Sequence, residues 1–109
     1  MPVVWKDFDS YQISYVSDSG FTTGYVNACE INCFKGGAFV ARICFYKEGK
    51  AMPANTLNQG APYIFYPLSQ FSDVIDILRY EKPLGLYVDT DSHVGALSTG
   101  QEPVGEQEG

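Results

Sequence analysis

Basic residues are scarce in this sequence of 109 residues, where seven Lys and Arg stand against thirteen Asp and Glu for a net charge of −6. An acidic surface repels the phosphates of nucleic acids and of anionic lipids, so both are disfavoured as partners. Long apolar runs are also missing, because no window approaches the roughly 18 apolar residues of a membrane-spanning helix. The segment 1–9 carries no signal-peptide pattern. We therefore expect a cytoplasmic protein without a membrane anchor.

Cysteine and histidine are rare as well, with three Cys and a single His. An odd number of cysteines without a framework spacing indicates free thiols in a reducing compartment. Cys29 and Cys33 are four residues apart, which in a strand spans about 13 Å, too far for one tetrahedral metal ion. We expect the cysteines to pack in a core, and we predict no cofactor.

Apolar and aromatic residues are plentiful, with 45% hydrophobic residues that include eight Tyr and seven Phe. That supply supports one core without help from disulfides or metals, so we predict a single α+β domain over residues 1–99. Residues 100–109 are mostly Gly, Glu, Gln and Pro, and we expect a disordered acidic tail there.

Alternation of apolar and polar residues, interrupted by Gly, Asp and Ser, predicts strands joined by tight turns. Between the third and fourth runs, Glu48–Gly60 has little periodicity, and we predict a long loop. The predicted strands are Tyr11–Val16, Phe21–Phe34, Ala38–Lys47, Ala61–Tyr66, Leu84–Asp89 and His93–Ser98.

The turn at Lys35–Gly37 determines the register of the second hairpin. A two-residue loop at Gly36–Gly37 would set Cys29 opposite Cys44 and mix polar with apolar residues on both faces. A three-residue loop makes one apolar face, and we predict that register. It sets Cys33 opposite Phe39, Ile31 opposite Ala41, Cys29 opposite Ile43 and Glu30 opposite Arg42.

Three-residue turns at Asp18–Gly20 and Thr90–Ser92 extend the same reasoning to the first and last hairpins. The first pairs Tyr15 with Thr23 and Ile13 with Tyr25, and the last pairs Val88 with Val94 and Leu86 with Ala96. The predicted buried face of the first three strands is Ile13, Tyr15, Tyr25, Cys29, Ile31, Cys33, Phe39, Ala41, Ile43 and Phe45.

One helix is predicted, because Phe71, Val74, Ile75 and Leu78 fall at the i, i+3, i+4 and i+7 positions of one helical face. Ser69 is placed to cap its start, and Pro83 prevents its continuation. The order is β-β-β-β-α-β-β, an antiparallel meander of about six strands with one helix packed on one face. One helix is too short to cover such a sheet, so we expect uncovered sheet for a partner or a second copy.

Asp89, Asp91 and His93 alternate around a turn, which suits a metal site, but Asp and Ser also stabilise tight turns by themselves. A calcium loop is excluded, since its sixth position would be Val94 rather than Gly and its twelfth Gly100 rather than Glu. We favour the turn over the metal. No nucleophile-elbow, P-loop or dinucleotide pattern is present, so catalysis has no motif in its favour.

The aromatic residues are the most distinctive feature. Tyr63, Phe65 and Tyr66 lie within one predicted strand, next to Asn55 and Asn58 in the long loop. Tyr is enriched in protein interfaces, so we predict a protein-interaction surface on a non-catalytic module that forms a homodimer through its sheet. The first alternative is a single-stranded nucleic-acid binder that stacks bases on these rings. Four meandering strands before a helix also occur in small transcriptional cofactor domains that bind single strands. The second is an enzyme or metal protein centred on His93.

Overall fold

The computed structural model describes residues 3–16 and 27–100. Within these ranges the chain forms eight strands and one α-helix, divided between two sheets. The α+β class is confirmed, but the single meander of about six strands is wrong. The strands are β1 (Val3–Phe8), β2 (Ser10–Tyr15), β3 (Asn27–Lys35), β4 (Ala38–Tyr46), β5 (Thr56–Asn58), β6 (Ala61–Pro67), β7 (Leu84–Asp89) and β8 (Gly95–Thr99), with helix α1 (Phe71–Tyr80) between β6 and β7.

The larger sheet has five strands in the order β2-β3-β4-β6-β5, and the pair β4–β6 is parallel. The predicted loop Glu48–Gly60 contains the short strand β5, which turns at Gln59 and Gly60 into β6. The second strand of this hairpin inserts beside β4, which leaves β5 at the edge. The strand order expected from the small transcriptional cofactor domains is therefore not the order found here.

The smaller sheet has the order β1-β7-β8, and all its pairs are antiparallel. Its first strand was not predicted. The chain passes from β1 in one sheet to β2 in the other at Asp9, whose amide donates to the Phe34 carbonyl at 2.9 Å and whose carboxylate accepts from the Gly36 amide at 3.2 Å. An exposed ion pair between Lys35 and Asp7 (2.8 Å) lies beside this passage.

The core lies between the two sheets and the helix. The predicted helix is confirmed, with Val74, Ile75 and Leu78 buried. The predicted Ser69 cap is wrong, because a 3₁₀ turn over Leu68–Gln70 precedes the helix and the Ser69 amide donates to the Glu48 carboxylate at 3.2 Å. The remaining core residues are Phe8, Cys29, Ile31, Cys33, Ala41, Ile43, Phe45, Ile64, Leu84, Leu86 and Val88.

The β3–β4 hairpin combines both turn lengths considered above. Gly36 and Gly37 have φ of 58° and 86°, as a two-residue type I′ turn requires, so Phe34 lies opposite Phe39. A β-bulge then leaves Val40 without a partner and shifts the remaining pairs. The predicted register is therefore wrong by two residues, although the predicted buried face of β3 and β4 is right except for Phe39. Ile13 and Tyr15 of β2, also predicted to be buried, are 37% and 62% exposed, and Tyr25 lies outside the described residues. The shifted pairs are Cys33 with Ala41, Asn32 with Arg42, Ile31 with Ile43, Glu30 with Cys44 and Cys29 with Phe45.

The other two hairpins also differ from prediction. In β2, Ile13 lies opposite Ile31 rather than Tyr25, and the predicted turn Asp18–Gly20 is outside the described residues. The last hairpin has a four-residue loop, with Leu86 opposite Leu97 rather than Ala96. This shift places Leu97 against the core, which the three-residue loop would not do. Residues 101–109 of the predicted tail also lie outside the described residues.

Candidate aromatic surface

The candidate site is the outer face of the five-stranded sheet, which is the face turned away from the core. Residues directly opposite each other on neighbouring strands point to the same face. Because Ile43 and Ile64 pair towards the core, the flanking pairs Arg42–Tyr63 and Cys44–Phe65 point outwards. The aromatic residues of this outer face are Phe34, Phe39, Tyr46, Tyr63 and Phe65.

Arg42 occupies the middle of the outer face. Its guanidinium carbon lies 5.4 Å from the ring centroid of Phe39 and 5.1 Å from that of Tyr63, both within cation–π range. Its Nε donates to Oδ1 of Asn32 at 2.7 Å, across the β3–β4 pair. The guanidinium is thus held between two rings and an amide, on three neighbouring strands.

Further ring contacts extend the surface on both sides of Arg42. Phe34 and Phe39 meet edge to face at 6.3 Å, Phe39 and Tyr63 at 6.4 Å, and Tyr46 and Phe65 at 5.8 Å. Phe39 is 40% exposed and the other four are half-buried. The rings are therefore pre-positioned and still accessible to a ligand.

Tyr66 does not join this surface. As the next residue after Phe65 in a strand it points to the opposite face, where its ring stacks on Phe45 at 6.0 Å. Burial raises the pKa of Tyr66, and the Leu97 backbone opposes that rise. Of the three aromatic residues predicted for the interface, the fold brings Tyr63 and Phe65 to one face and sends Tyr66 to the other.

The two predicted asparagines have different surroundings. The Asn55 side chain accepts the Phe65 amide at 2.8 Å and donates to the His93 carbonyl at 3.0 Å, so it links β6 to the β7–β8 turn. Asn58 is exposed on β5, opposite Ala61. Asn55 therefore supports the strand that carries Tyr63 and Phe65, and Asn58 lies at the edge of the sheet.

The weak metal candidates form a hydrogen-bonded turn. One oxygen of Asp89 accepts the amides of Asp91 (2.9 Å) and Ser92 (3.3 Å), and these bonds lower the pKa of Asp89. His93 adopts a positive φ of 63°, and its Nδ1 donates to the Asn55 carbonyl at 3.0 Å. In the part of the chain that the structure describes, no three residues of the types His, Cys, Asp and Glu are grouped to hold a metal ion.

The three cysteines are free and buried. Burial raises the pKa of Cys29 to about 11 and those of Cys33 and Cys44 to about 12. Thiols with such pKa values stay protonated at neutral pH, and the thiolate is the nucleophilic form. Cys29 and Cys33 belong to the core, and Cys44 is buried on the outer face beside Phe65.

Two concave regions lie away from the outer face. A groove of about 500 Å³ crosses the smaller sheet, where it is lined by Val3, Trp5, Tyr87, Asp89, Ser92 and Val94. A cleft of about 400 Å³ lies between the β1–β2 junction and the end of α1.

The helix α1 is the one α-helix within residues 3–16 and 27–100, and it is too short and polar to cross a membrane.

Sequence reasoning missed Arg42, Phe39 and Asn32 as members of the site. Strict alternation along β6 would have separated Tyr63 and Phe65 from Tyr66. No local sequence pattern predicts the parallel pairing of β4 with β6, which brings Arg42 beside Tyr63.

Comparison of the chain with protein-family models, curated proteins and solved structures finds no match.

Proposed function

We propose that the protein is a cytoplasmic, non-catalytic interaction module that binds a partner protein through the outer face of its five-stranded sheet. The observation that supports this proposal is the Arg42 guanidinium held between the rings of Phe39 and Tyr63. Arg and Tyr are enriched among the residues that dominate interface energies. Rings already packed against one another also lose little conformational freedom on binding.

The chemistry of Arg42 indicates what such a partner presents. A guanidinium is a planar fork that matches the geometry of a carboxylate, and neighbouring rings supply apolar contact. The partner segment therefore carries an Asp or Glu next to an apolar side chain. The acidic group would meet a local cation on a protein whose net charge is −6.

Capture from a lysate of the native host, followed by binding measurements with the purified partner, tests the proposal. We expect Tyr63→Ala and Arg42→Lys each to weaken binding at least about tenfold, since the first removes a ring and the second removes the planar fork. Tyr80→Ala is the control, because Tyr80 is 55% exposed on α1. A partner that binds both outer-face variants as tightly as the wild type would overturn the proposal.

Single-stranded nucleic acid is the second candidate, and the same Arg42 cluster favours it. Aromatic rings on a sheet with an adjacent arginine can stack bases, although the net charge opposes approach of the phosphates. Fluorescence anisotropy with a labelled oligonucleotide separates the two. Binding that persists at about 200 mM salt would support this candidate, and none at low salt would remove it.

A further inference from the structure

The inference concerns the terminal strand β2 and does not depend on the outer face. β2 runs antiparallel to β3 and is the last strand of the five-stranded sheet. Among the described residues, no strand pairs with its other edge. An edge strand presents a row of backbone donors and acceptors, which natural proteins usually protect.

The other three terminal strands carry such protection. β1 contains Lys6 and Asp7, and charged residues discourage pairing. β5 has only three residues, too few for a stable pairing of its own. On β8, all five residues are partly buried, which leaves little of that edge open.

β2 has none of these features. Its sequence, Ser-Tyr-Gln-Ile-Ser-Tyr, contains no charge, proline or glycine over six residues. Ile13 is 37% exposed and Tyr15 62% exposed, although both lie opposite core residues of β3. The edge therefore has the backbone and the apolar side chains of a strand that pairs with another strand.

The hydrogen bonds between β2 and β3 show which backbone groups of β2 point towards β3 and which point to the free edge of the sheet. The Val16 amide donates to the Ala28 carbonyl at 2.9 Å, so Val16 faces β3. Since alternate residues of an antiparallel strand face the same neighbour, Ser14, Gln12 and Ser10 also face β3. The backbone N–H and C=O groups that point to the free edge therefore belong to Tyr11, Ile13 and Tyr15.

We propose that two copies of the protein pair antiparallel through β2, about a twofold axis at Ile13, to make one continuous sheet across a homodimer. This register sets Ile13 opposite Ile13 and Tyr11 opposite Tyr15. All three residues whose backbone groups point to the free edge then form hydrogen-bonded pairs. Each such pair exchanges two backbone bonds.

A second copy is the occupant that the strand itself favours, because Tyr11 and Tyr15 lie symmetrically on either side of Ile13. Two molecules of net charge −6 repel each other over most of their surfaces, and an uncharged strand lets them meet with the least repulsion. Pairing also continues the apolar face of each sheet across the axis, where Tyr15 already contacts Phe71 of the helix at 5.5 Å. Both sides contribute the same residues, as a twofold interface requires.

Sedimentation and light scattering of the full chain test the proposal over a wide range of concentrations. We expect a dimer for the wild type. Ile13→Lys should raise the dimer dissociation constant at least about tenfold, because two lysines would meet at the axis. Thr56→Lys on the exposed edge β5 adds the same charge elsewhere and should leave the dimer intact.

Cross-linking keeps the test decisive if Ile13→Lys does not fold. Residues in a hydrogen-bonded pair have Cα atoms about 5.5 Å apart, within disulfide range. Under mild oxidation Ile13→Cys should form a covalent dimer faster than Thr56→Cys, and the native thiols are buried.

Three results would overturn the pairing. They are a wild type that is monomeric at every concentration, a dimer that Ile13→Lys leaves unchanged, and an Ile13→Cys variant that cross-links no faster than Thr56→Cys. In the first case, exchange protection of the β2 amides that arises only when another protein is added would identify a different occupant of the edge. Tyr63→Ala should not affect the dimer, so failure here is distinguishable from failure of the proposed function.

Discussion

Asn55 and His93 bind each other through two reciprocal hydrogen bonds. The Asn55 side-chain nitrogen donates to the His93 carbonyl at 3.0 Å, and Nδ1 of His93 donates to the Asn55 carbonyl at 3.0 Å. The Phe65 amide also donates to Oδ1 of Asn55, so these bonds together link the long loop, β6 and the β7–β8 turn. The asparagine and the histidine expected to serve binding or chemistry thus connect the two sheets.

Replacing Asn55 should therefore lower stability. Asn55→Ala leaves the part-buried Phe65 amide without its acceptor, and we expect a loss of about 1–3 kcal/mol in the free energy of unfolding. Asn58→Ala on exposed β5 is the matched control and should change stability by less than about 0.5 kcal/mol. Urea denaturation measures both. Equal effects of the two substitutions would show that the Asn55 bonds contribute nothing.

The Asp89 turn makes stability depend on pH. The amides of Asp91 and Ser92 favour the ionised carboxylate and hold the pKa of Asp89 below its ordinary value of 3.8. A lowered folded-state pKa contributes stability that is complete above the unfolded value and lost as pH falls through the folded one. The stability difference between wild type and Asp89→Asn should thus be constant near neutral pH and shrink below about pH 4.

Asp91→Asn in the same turn makes the same change of charge and serves as the control. Thermal unfolding of the three proteins across the acidic range gives the comparison. A wild-type advantage over Asp89→Asn that persists unchanged at the lowest pH would contradict the assigned role of the carboxylate.

Which face of β3 and β4 is buried could be predicted from the sequence, whereas how the strands pair could not. Alternation placed Ile31 and Ile43 on the core face, and it remains valid whichever residues lie opposite. The bulge at Val40 changes the pairing without a local signal, since neither Gly36 nor Gly37 specifies it. The pairing of β6 with β4 joins two strands that are not consecutive along the chain, so no local pattern predicts it. β1 was missed because its edge position leaves Phe8 as its only buried residue.

The candidate site was predicted in part for the same reason. Tyr63 and Phe65 share a face by alternation alone. Arg42 joins them only through the parallel pair, and Phe39 only through the bulge, so both needed the three-dimensional structure.

The thiols should be unreactive in the folded protein. Burial raises the pKa of Cys33 and Cys44 to about 12 and that of Cys29 to about 11, which keeps them protonated. Labelling with a thiol reagent at neutral pH should be slow under native conditions, and all three cysteines should react after unfolding without a reductant. Mass spectrometry counts the labels. A cysteine that reacts in the native protein as fast as a free thiol in a peptide would contradict its burial.

Because of the bulge, we expect truncation of Phe39 and truncation of Phe45 to lower the free energy of unfolding by very different amounts. Had Phe39 faced the core as alternation alone suggests, its truncation would cost about 3–5 kcal/mol, the usual penalty for a buried ring. The structure places it 40% exposed among Phe34, Arg42 and Tyr63, so we expect Phe39→Ala to cost less than about 1.5 kcal/mol. Phe45→Ala, at a fully buried position that contacts Tyr66 and Phe71, should show the full penalty. Denaturation of both variants decides between the registers, because similar losses would mean that the two rings share the core face and that β4 contains no bulge.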